Sequence, residues 1–209
     1  MPTIKTLTED HANRLLHAIR NTHRSPATKR RAERDYLIAA LLLDAGLRVG
    51  ELVQLQVEDL YAPPEPKHTL KLRAATTKTH HDRFIPLTQR IQFAFTIHLR
   101  TNLKQLNVQT TPWLFPSLNP NNHLTTRQVQ RIIQNAGHLH LAIDVNPHML
   151  RHTFATALMR TTSIPIVQAL LGHRSLHSTQ IYMHPNNLDL QQAIDTIDTI
   201  KQGQRPKPA

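Results

Sequence analysis

Asn146-Pro147-His148-Met149-Leu150-Arg151-His152, continued by Thr153-Phe154-Ala155-Thr156, opens a helix and says what that helix is for. Asparagine is a favoured N-cap, and proline is a favoured first helical residue because its missing N–H would have gone unpaired there anyway. His148 therefore falls in the first turn. At about 100° per residue, His148, Arg151, His152 and Ala155 share one arc, whereas Leu150, Phe154, Ala157 and Leu158 share the opposite one. The apolar arc buries the helix and leaves the polar arc available. A helix N-terminus offers unpaired N–H groups and the positive end of the macrodipole, so Arg151 and His148 beside it suit a phosphate.

A metal site is the competing reading of His148 and His152. It is the weaker one, because no glutamate lies between them as in a zinc-protease helix and the chain has no cysteine. His80-His81, and His138 with His140, are weaker still. Downstream, Ser163-Ile164-Pro165-Ile166-Val167 starts another helix with Ser163 as cap, and Gly172 reads as its C′ residue. His173 thus follows a fixed turn. The stretch from Leu171 to His184, LGHRSLHSTQIYMH, then surrounds Tyr182 with histidines and an arginine, in a chain with only three tyrosines. An isolated tyrosine is ordinarily a core or surface residue, since a phenol with a pKa near 10 is a poor nucleophile. It becomes useful when several cations stabilise the phenolate and a developing phosphorane together.

Upstream, Leu7-Thr8-Glu9-Asp10 opens a helix with Thr8 as N-cap and Leu15, Leu16 and Ile19 on one face. A basic loop, His23 to Arg31, leads to a second helix from about Ala32 to Leu43, broken by Asp44-Ala45-Gly46. Leu47 to Leu52 begins a short helix. Pro63-Pro64-Glu65-Pro66 is a rigid turn, after which Thr69 to Ala74 and Arg83 to Leu87 read as antiparallel strands joined by residues 75–82. A helix from about Thr88 to Lys104 follows, then a loop whose Trp113 is expected to pack in the core. Thr125 or Thr126 caps a helix running to Asn135 and ended by Gly137. The fold class is therefore mainly α with one small antiparallel β-sheet, an α+β domain.

Composition narrows the function. The 209 residues suffice for one hydrophobic core, and the 39% apolar content suits a globular protein whose longest clean apolar run, Tyr36 to Leu43, is too short to span a bilayer. The N-terminus has no apolar signal core, which sets the expectation of an intracellular protein. With 25 Lys+Arg against 14 Asp+Glu, the formal charge is +11 before any of the 15 histidines is protonated. Such a surplus predicts a polyanionic partner, most simply nucleic acid, ahead of an anionic membrane surface. Zero cysteines exclude disulfides, thiol nucleophiles and thiolate metal sites.

Taken in order, five stretches resemble the signatures of the tyrosine recombinase, or phage integrase, family. They are Gly46-Leu47-Arg48-Val49-Gly50-Glu51-Leu52; Lys78 between the strands, followed by Arg83-Phe84-Ile85-Pro86-Leu87; Pro147 to Thr156; Leu171-Gly172-His173; and Thr179-Gln180-Ile181-Tyr182. Any one is weak, but five in sequence from Leu7 to His184 are specific. The resemblance implies the catalytic-domain fold of that family and a site-specific DNA recombinase that needs neither ATP, metal nor cofactor. It further implies that Arg48 and Arg151 clamp the non-bridging oxygens of the scissile phosphate, and that Tyr182 attacks phosphorus to leave a 3′-phosphotyrosyl link and a free 5′-hydroxyl. Lys78 would be general acid toward the departing 5′-oxygen, His148 would assist proton transfer as the base, and His173 would hydrogen-bond the phosphate. Glu51 is expected to support Arg48 by a local ion pair, and His152 to pack rather than catalyse. Physically this is consistent: phosphoryl transfer builds charge on equatorial oxygens, so catalysis is mostly positioning and electrostatic stabilisation. Arginine suits the clamp because its planar fork donates two hydrogen bonds and stays charged. Lysine works as an acid only if its pKa is pulled down, which two nearby arginines would do.

The resemblance also sets expectations for organisation. Residues 1–187 would form the catalytic domain and 188–209 a C-terminal docking helix and tail. The helix at Leu7 reads as the first of that domain, so the N-terminal core-binding domain of many members is expected to be absent, as in short members such as the invertases that switch fimbrial promoters. Threonines flank Lys78 where many members carry glycines. Leu190, Ala193, Ile194, Ile197 and Ile200 make an apolar stripe that in the family docks on a neighbouring protomer; docking on its own core fits the stripe equally well. The expected partners are double-stranded DNA at specific recombination sites, further copies of the chain in a tetrameric synapse and accessory DNA-binding proteins, with no membrane and a cytoplasmic, nucleoid-associated location. The competing classes are relaxation of DNA by a type IB topoisomerase, whose large clamp domains are not expected in this chain, a non-catalytic DNA-binding regulator on the same fold, and a metal-dependent phosphoesterase.

Overall fold

Leu15, Leu16 and Ile19 form the buried face of α1 (Glu9–Asn21), whose first turn is capped by Thr8, the hydroxyl accepting from the His11 N–H at 3.2 Å. That face packs on α2 (Pro26–Asp44), the central helix, in which every residue from Tyr36 to Leu43 is buried. Each leucine and isoleucine of the run contributes about 1.5–3 kcal/mol of burial, which explains why it is apolar on every side. The computed structural model describes residues 5–21, 25–77, 82–103 and 112–172.

The second helix starts earlier than the sequence reading placed it. Ser25 is its N-cap, Pro26 its first residue, and Ser25 and Thr28 bond each other's backbone N–H groups at 3.3 and 2.9 Å, so the basic run Lys29-Arg30-Arg31 is helical rather than looped. Charge density had masked a Ser-Pro capping signal. Beyond α2 come α3 (Val49–Val53) and α4 (Val57–Leu60). The proline-rich turn then closes a very short hairpin of β1 (Tyr61–Ala62) and β2 (Glu65–Pro66), separate from β3 (Thr69–Leu72) and β4 (Arg83–Pro86), so the described residues hold two two-stranded antiparallel sheets where one was expected, within the mainly α fold that was read. In the second, Leu70 opposes Ile85 and Leu72 opposes Arg83, and these four side chains face inward. β3 ends at Leu72 rather than Ala74, because residues 74–76 turn tightly and Asp82 accepts from the Ala74 N–H at 2.8 Å.

Thr88 caps α5 (Gln89–His98), which widens into a π-helical turn over Leu99–Leu103. Trp113 is half-buried, its indole N–H donating to the Asn121 carbonyl at 3.0 Å and its ring edge-on to His123. Its neighbours Leu114 and Phe115, both fully enclosed, take the core position instead. Thr125 caps α6 (Thr126–Leu141), and Gly137 does not end it; Ala142 takes the left-handed terminal position, while a side chain at 137 would meet Val145 at 2.6 Å. α7 (Pro147–Thr161) begins as read, with the Asn146 carboxamide oxygen accepting from Met149 N–H at 3.0 Å.

The two-arc reading of α7 fails on one side. Arg151 and Ala155 are buried and Ala157 is exposed, because α8 (Ile164–Leu171) folds back over the supposedly open arc and sets Val167 and Leu171 against Ala155. α7 is thus covered by α2 on one flank and by α8 on the other. No described helix is long and apolar enough to cross a membrane.

Candidate active site

The chain reverses between α2 and α3 at Gly46, where φ is +58° and a Cβ would lie 2.2 Å from the Phe154 ring, so the backbone conformation and α7 both demand glycine. Leu47, fully buried, pins the reversal. Arg48 follows in extended conformation as the N-cap of α3. Its backbone N–H donates to Glu51 Oε2 and its Nη1 to Glu51 Oε1, each at 2.8 Å, and Glu51 stands in the first turn, where the helix dipole favours a carboxylate.

A second arginine reaches the same carboxylate from the sheet. Arg83 Nη1 and Nη2 donate to Glu51 Oε1 and Oε2 at 3.2 and 3.0 Å, a two-pronged pair in which the Arg83 and Glu51 side chains are 6% and 2% exposed. Burial alone would push the Glu51 carboxyl up; the Arg83 charge and the hydrogen bonds from Arg83 and Arg48 outweigh it and hold the group below the usual carboxylate range.

α8 supplies the third wall. Gly172 ends it at φ +63°, and the last carbonyls of the helix, which have no partner inside it, turn toward the arginines. Arg151 Nη2 donates to the Leu171 carbonyl at 2.8 Å, Arg151 Nη1 to the Gly46 carbonyl, and Arg48 Nη2 to the Gly172 carbonyl at 3.4 Å. Two guanidiniums on different helices therefore bond consecutive carbonyls of one turn. Arg48 and Arg83 share the Glu51 carboxylate and Arg151 joins Arg48 at the α8 turn, so these four side chains carry a formal excess of two positive charges in a largely buried cluster. Arg48, with its side chain 25% exposed, is the open edge of that cluster.

His148 is exposed in the first turn of α7, one turn before Arg151. His152 is half-buried and held below the ordinary imidazole pKa, first by that burial and then by the charges of His148 and Arg151, all of which disfavour a proton on its ring. Of the six residues expected in the site, the structure describes Arg48, His148 and Arg151, and it brings the two arginines together at the α8 turn; Lys78, His173 and Tyr182 lie outside the described residues, as does the stripe from Leu190 to Ile200. The expected Arg48–Glu51 pair is present. Arg83 was read as the start of a strand and as part of the second family-like stretch, with no role in the site; the alternation Arg83, Ile85, Leu87 on the inward face was the available signal. Among the described residues no group of three His, Cys, Asp or Glu side chains is placed to hold a metal ion.

Comparison with known proteins supplies the context for this arrangement. The profile of the phage integrase family matches residues 5–188. The chain is 34% identical over 200 residues to tyrosine recombinase XerA of Pyrococcus horikoshii, covering 94% of this chain and 62% of the relative, and 34% identical over 201 residues to tyrosine recombinase XerC of Thermodesulfovibrio yellowstonii, covering 93% and 61%. It thus spans about three fifths of the length of these curated relatives. Among solved structures, the crystal structure of XerA recombinase superimposes with a TM-score of 0.73 at 30% identity, covering all of this chain and 67% of the other. The Tn1549 transposon integrase in complex with a circular intermediate DNA shares the fold, with a TM-score of 0.70 at 19% identity, over 94% of this chain and 67% of that one.

Proposed function

This chain belongs to the phage integrase family, and on that premise we propose that it is a site-specific DNA recombinase that cuts and rejoins strands through a tyrosine, in type IB topoisomerase-like chemistry. The observation that carries the reading is the pairing of Arg48 and Arg151 on consecutive carbonyls of the α8 turn, inside a buried cluster with excess positive charge. Two planar, permanently charged forks held by fixed backbone acceptors suit the equatorial oxygens of a phosphodiester, and a water-poor setting strengthens each such contact.

In this reading the Tyr182 oxygen forms a bond to phosphorus as the bond to the 5′-oxygen breaks. Lys78 delivers a proton to that leaving oxygen, and His148 takes the phenol proton. Arg48 and Arg151 hold the non-bridging oxygens with His173 as a further donor. One phosphodiester bond is exchanged for another, so the 5′-hydroxyl of a partner strand reverses the step without ATP. The same reading assigns catalysis to residues 1–187 and gives the apolar stripe Leu190 to Ile200 a docking role in a tetrameric synapse on DNA. Support for a duplex partner comes from a structural neighbour, XerH, solved bound to its difH substrate, together with the formal charge of +11.

The test is a nicked suicide duplex carrying recombination-site sequence, incubated with EDTA and resolved on a denaturing gel. A covalent protein–DNA band in the wild type that is lost in Tyr182→Phe is the expected result. A band that survives the substitution would remove Tyr182 as nucleophile, and DNA binding with no band in any variant would favour a DNA-binding regulator.

A further inference from the structure

Arg83 joins three elements that the proposed chemistry needs in register. It is the first residue of β4, directly after the segment that contains Lys78, and its side chain turns inward between Leu72 and Ile85. Both of its Nη groups are committed to Glu51, the carboxylate that also receives the backbone N–H and Nη1 of Arg48. Above it lies Gly172, where a Cβ would come within 2.4 Å of Arg83 Nη1. One guanidinium therefore touches the strand that closes the hairpin, the carboxylate that orients Arg48, and the turn whose carbonyls receive Arg48 and Arg151.

We propose that Arg83 is a positioning residue of the active site, which grips Glu51 from β4 beneath Gly172 and so fixes the Arg48 guanidinium toward the phosphate, without touching the DNA itself. Stability alone would not select this residue. A buried ion pair seldom outperforms apolar residues of similar volume, and the inward positions around Arg83, namely Leu70, Leu72 and Ile85, are all apolar. Arg83 Nε is, besides, buried with no hydrogen-bond partner among the described residues, a cost that an aliphatic side chain would not carry. What the arginine supplies and a leucine would not is direction: a two-pronged fork fixes the plane of the Glu51 carboxylate, and that plane fixes where Arg48 points. Both Nη groups of Arg83 are spent on the Glu51 carboxylate, which offsets its charge, whereas those of Arg151 rest on neutral backbone carbonyls that leave its charge available to a phosphate.

The inference rests on the recombinase reading for the identity of the phosphate, but its geometry is testable apart from it. Arg83→Gln, Arg48→Gln and the double variant are compared in two assays: the single-turnover rate of covalent complex formation on the nicked duplex alongside duplex Kd, and the rise in Tm caused by inorganic phosphate at constant ionic strength. Arg83→Gln is expected to slow cleavage by about a hundredfold, the scale of a small misplacement, while Kd moves only a few-fold. In the Arg48→Gln background the same change should cost nothing more, because Arg83 acts through Arg48. The phosphate-induced Tm shift should show the same non-additivity, and Arg83→Lys should restore part of the rate.

Multiplying losses in the double variant would overturn the proposal, as would a Kd loss as large as the rate loss, or a folded Arg83→Gln with wild-type behaviour in both assays. If the wild type forms no covalent complex, the recombinase reading falls, and the phosphate cycle still decides the role of Arg83. Should Arg83→Gln not fold, Arg83→Lys, which keeps the charge opposite Glu51, carries the same cycle.

Discussion

Four hydrogen bonds converge on the Glu51 carboxylate, so Glu51→Gln would leave Arg83 and Arg48 facing a neutral amide in a buried setting. Breaking a buried pair in this way costs about 3 kcal/mol or more, and urea unfolding at pH 7 should register a loss of that size. The Glu51 pKa lies below its ordinary value of 4.5, so the stability it contributes is present above that pH and is lost as the pH falls through the lower, folded-state value. His98 acts in the same direction at milder acidity. Its ring is fully buried against Phe115, Nε2–H donates to the Leu114 carbonyl at 3.0 Å, and a proton on Nδ1 would be buried with no acceptor among the described residues. Burial first, offset in part by the Leu114 carbonyl and assisted by the Arg34 charge, brings its pKa from 6.5 to about 4. The unfolded chain therefore takes up a proton that the folded chain refuses. Unfolding free energy should fall by about 3 kcal/mol as the pH drops from 6.5 to 4, and His98→Phe should flatten that part of the profile.

Helix ends, more than helix middles, set the geometry at the next scale. Gly172 combines a left-handed φ of +63° with a 2.4 Å approach to Arg83, so Gly172→Ala strains the backbone and displaces the guanidinium together. The conformational part alone costs about 1–2 kcal/mol, and the displacement should appear separately as slowed covalent-complex formation on the nicked duplex. The cap of α2 offers a contrasting case. Ser25→Ala removes the acceptor for the Thr28 N–H and should lower stability by about 1 kcal/mol in thermal unfolding, with no change in cleavage, since α2 is 19 residues long and Ser25 stands at the end far from Arg48. α7 shows why an element cannot be read from its own periodicity. α8 covers Arg151 and Ala155 on the polar arc of α7 while His148 on the same arc stays exposed, and neither fact is written in the spacing of that helix's apolar residues.

At the scale of the whole molecule, the formal charge of +11 predicts DNA binding governed by counter-ion release, with duplex affinity falling roughly a hundredfold or more between about 50 and 200 mM salt in a filter-binding or anisotropy titration. A flat response would refute it. The residue types of the site, their order along the chain, the caps at Thr8, Thr88, Thr125 and Asn146, and the glycine at 172 that ends α8 were all determined by the sequence itself, because each is a local bargain between a side chain and its own backbone. Where local signals conflicted they misled: the basic run hid the cap at Ser25, and Gly137 looked like a stop but serves close packing against Val145. Only the tertiary structure decided that Arg83 shares Glu51 with Arg48 across 32 residues of chain, that Arg48 and Arg151 meet at neighbouring carbonyls of α8, and that Trp113 yields the core to Leu114 and Phe115. Those outcomes depend on which surfaces meet when distant segments pack, and a periodicity measured along one element records only that it has a buried side, not what lies against it.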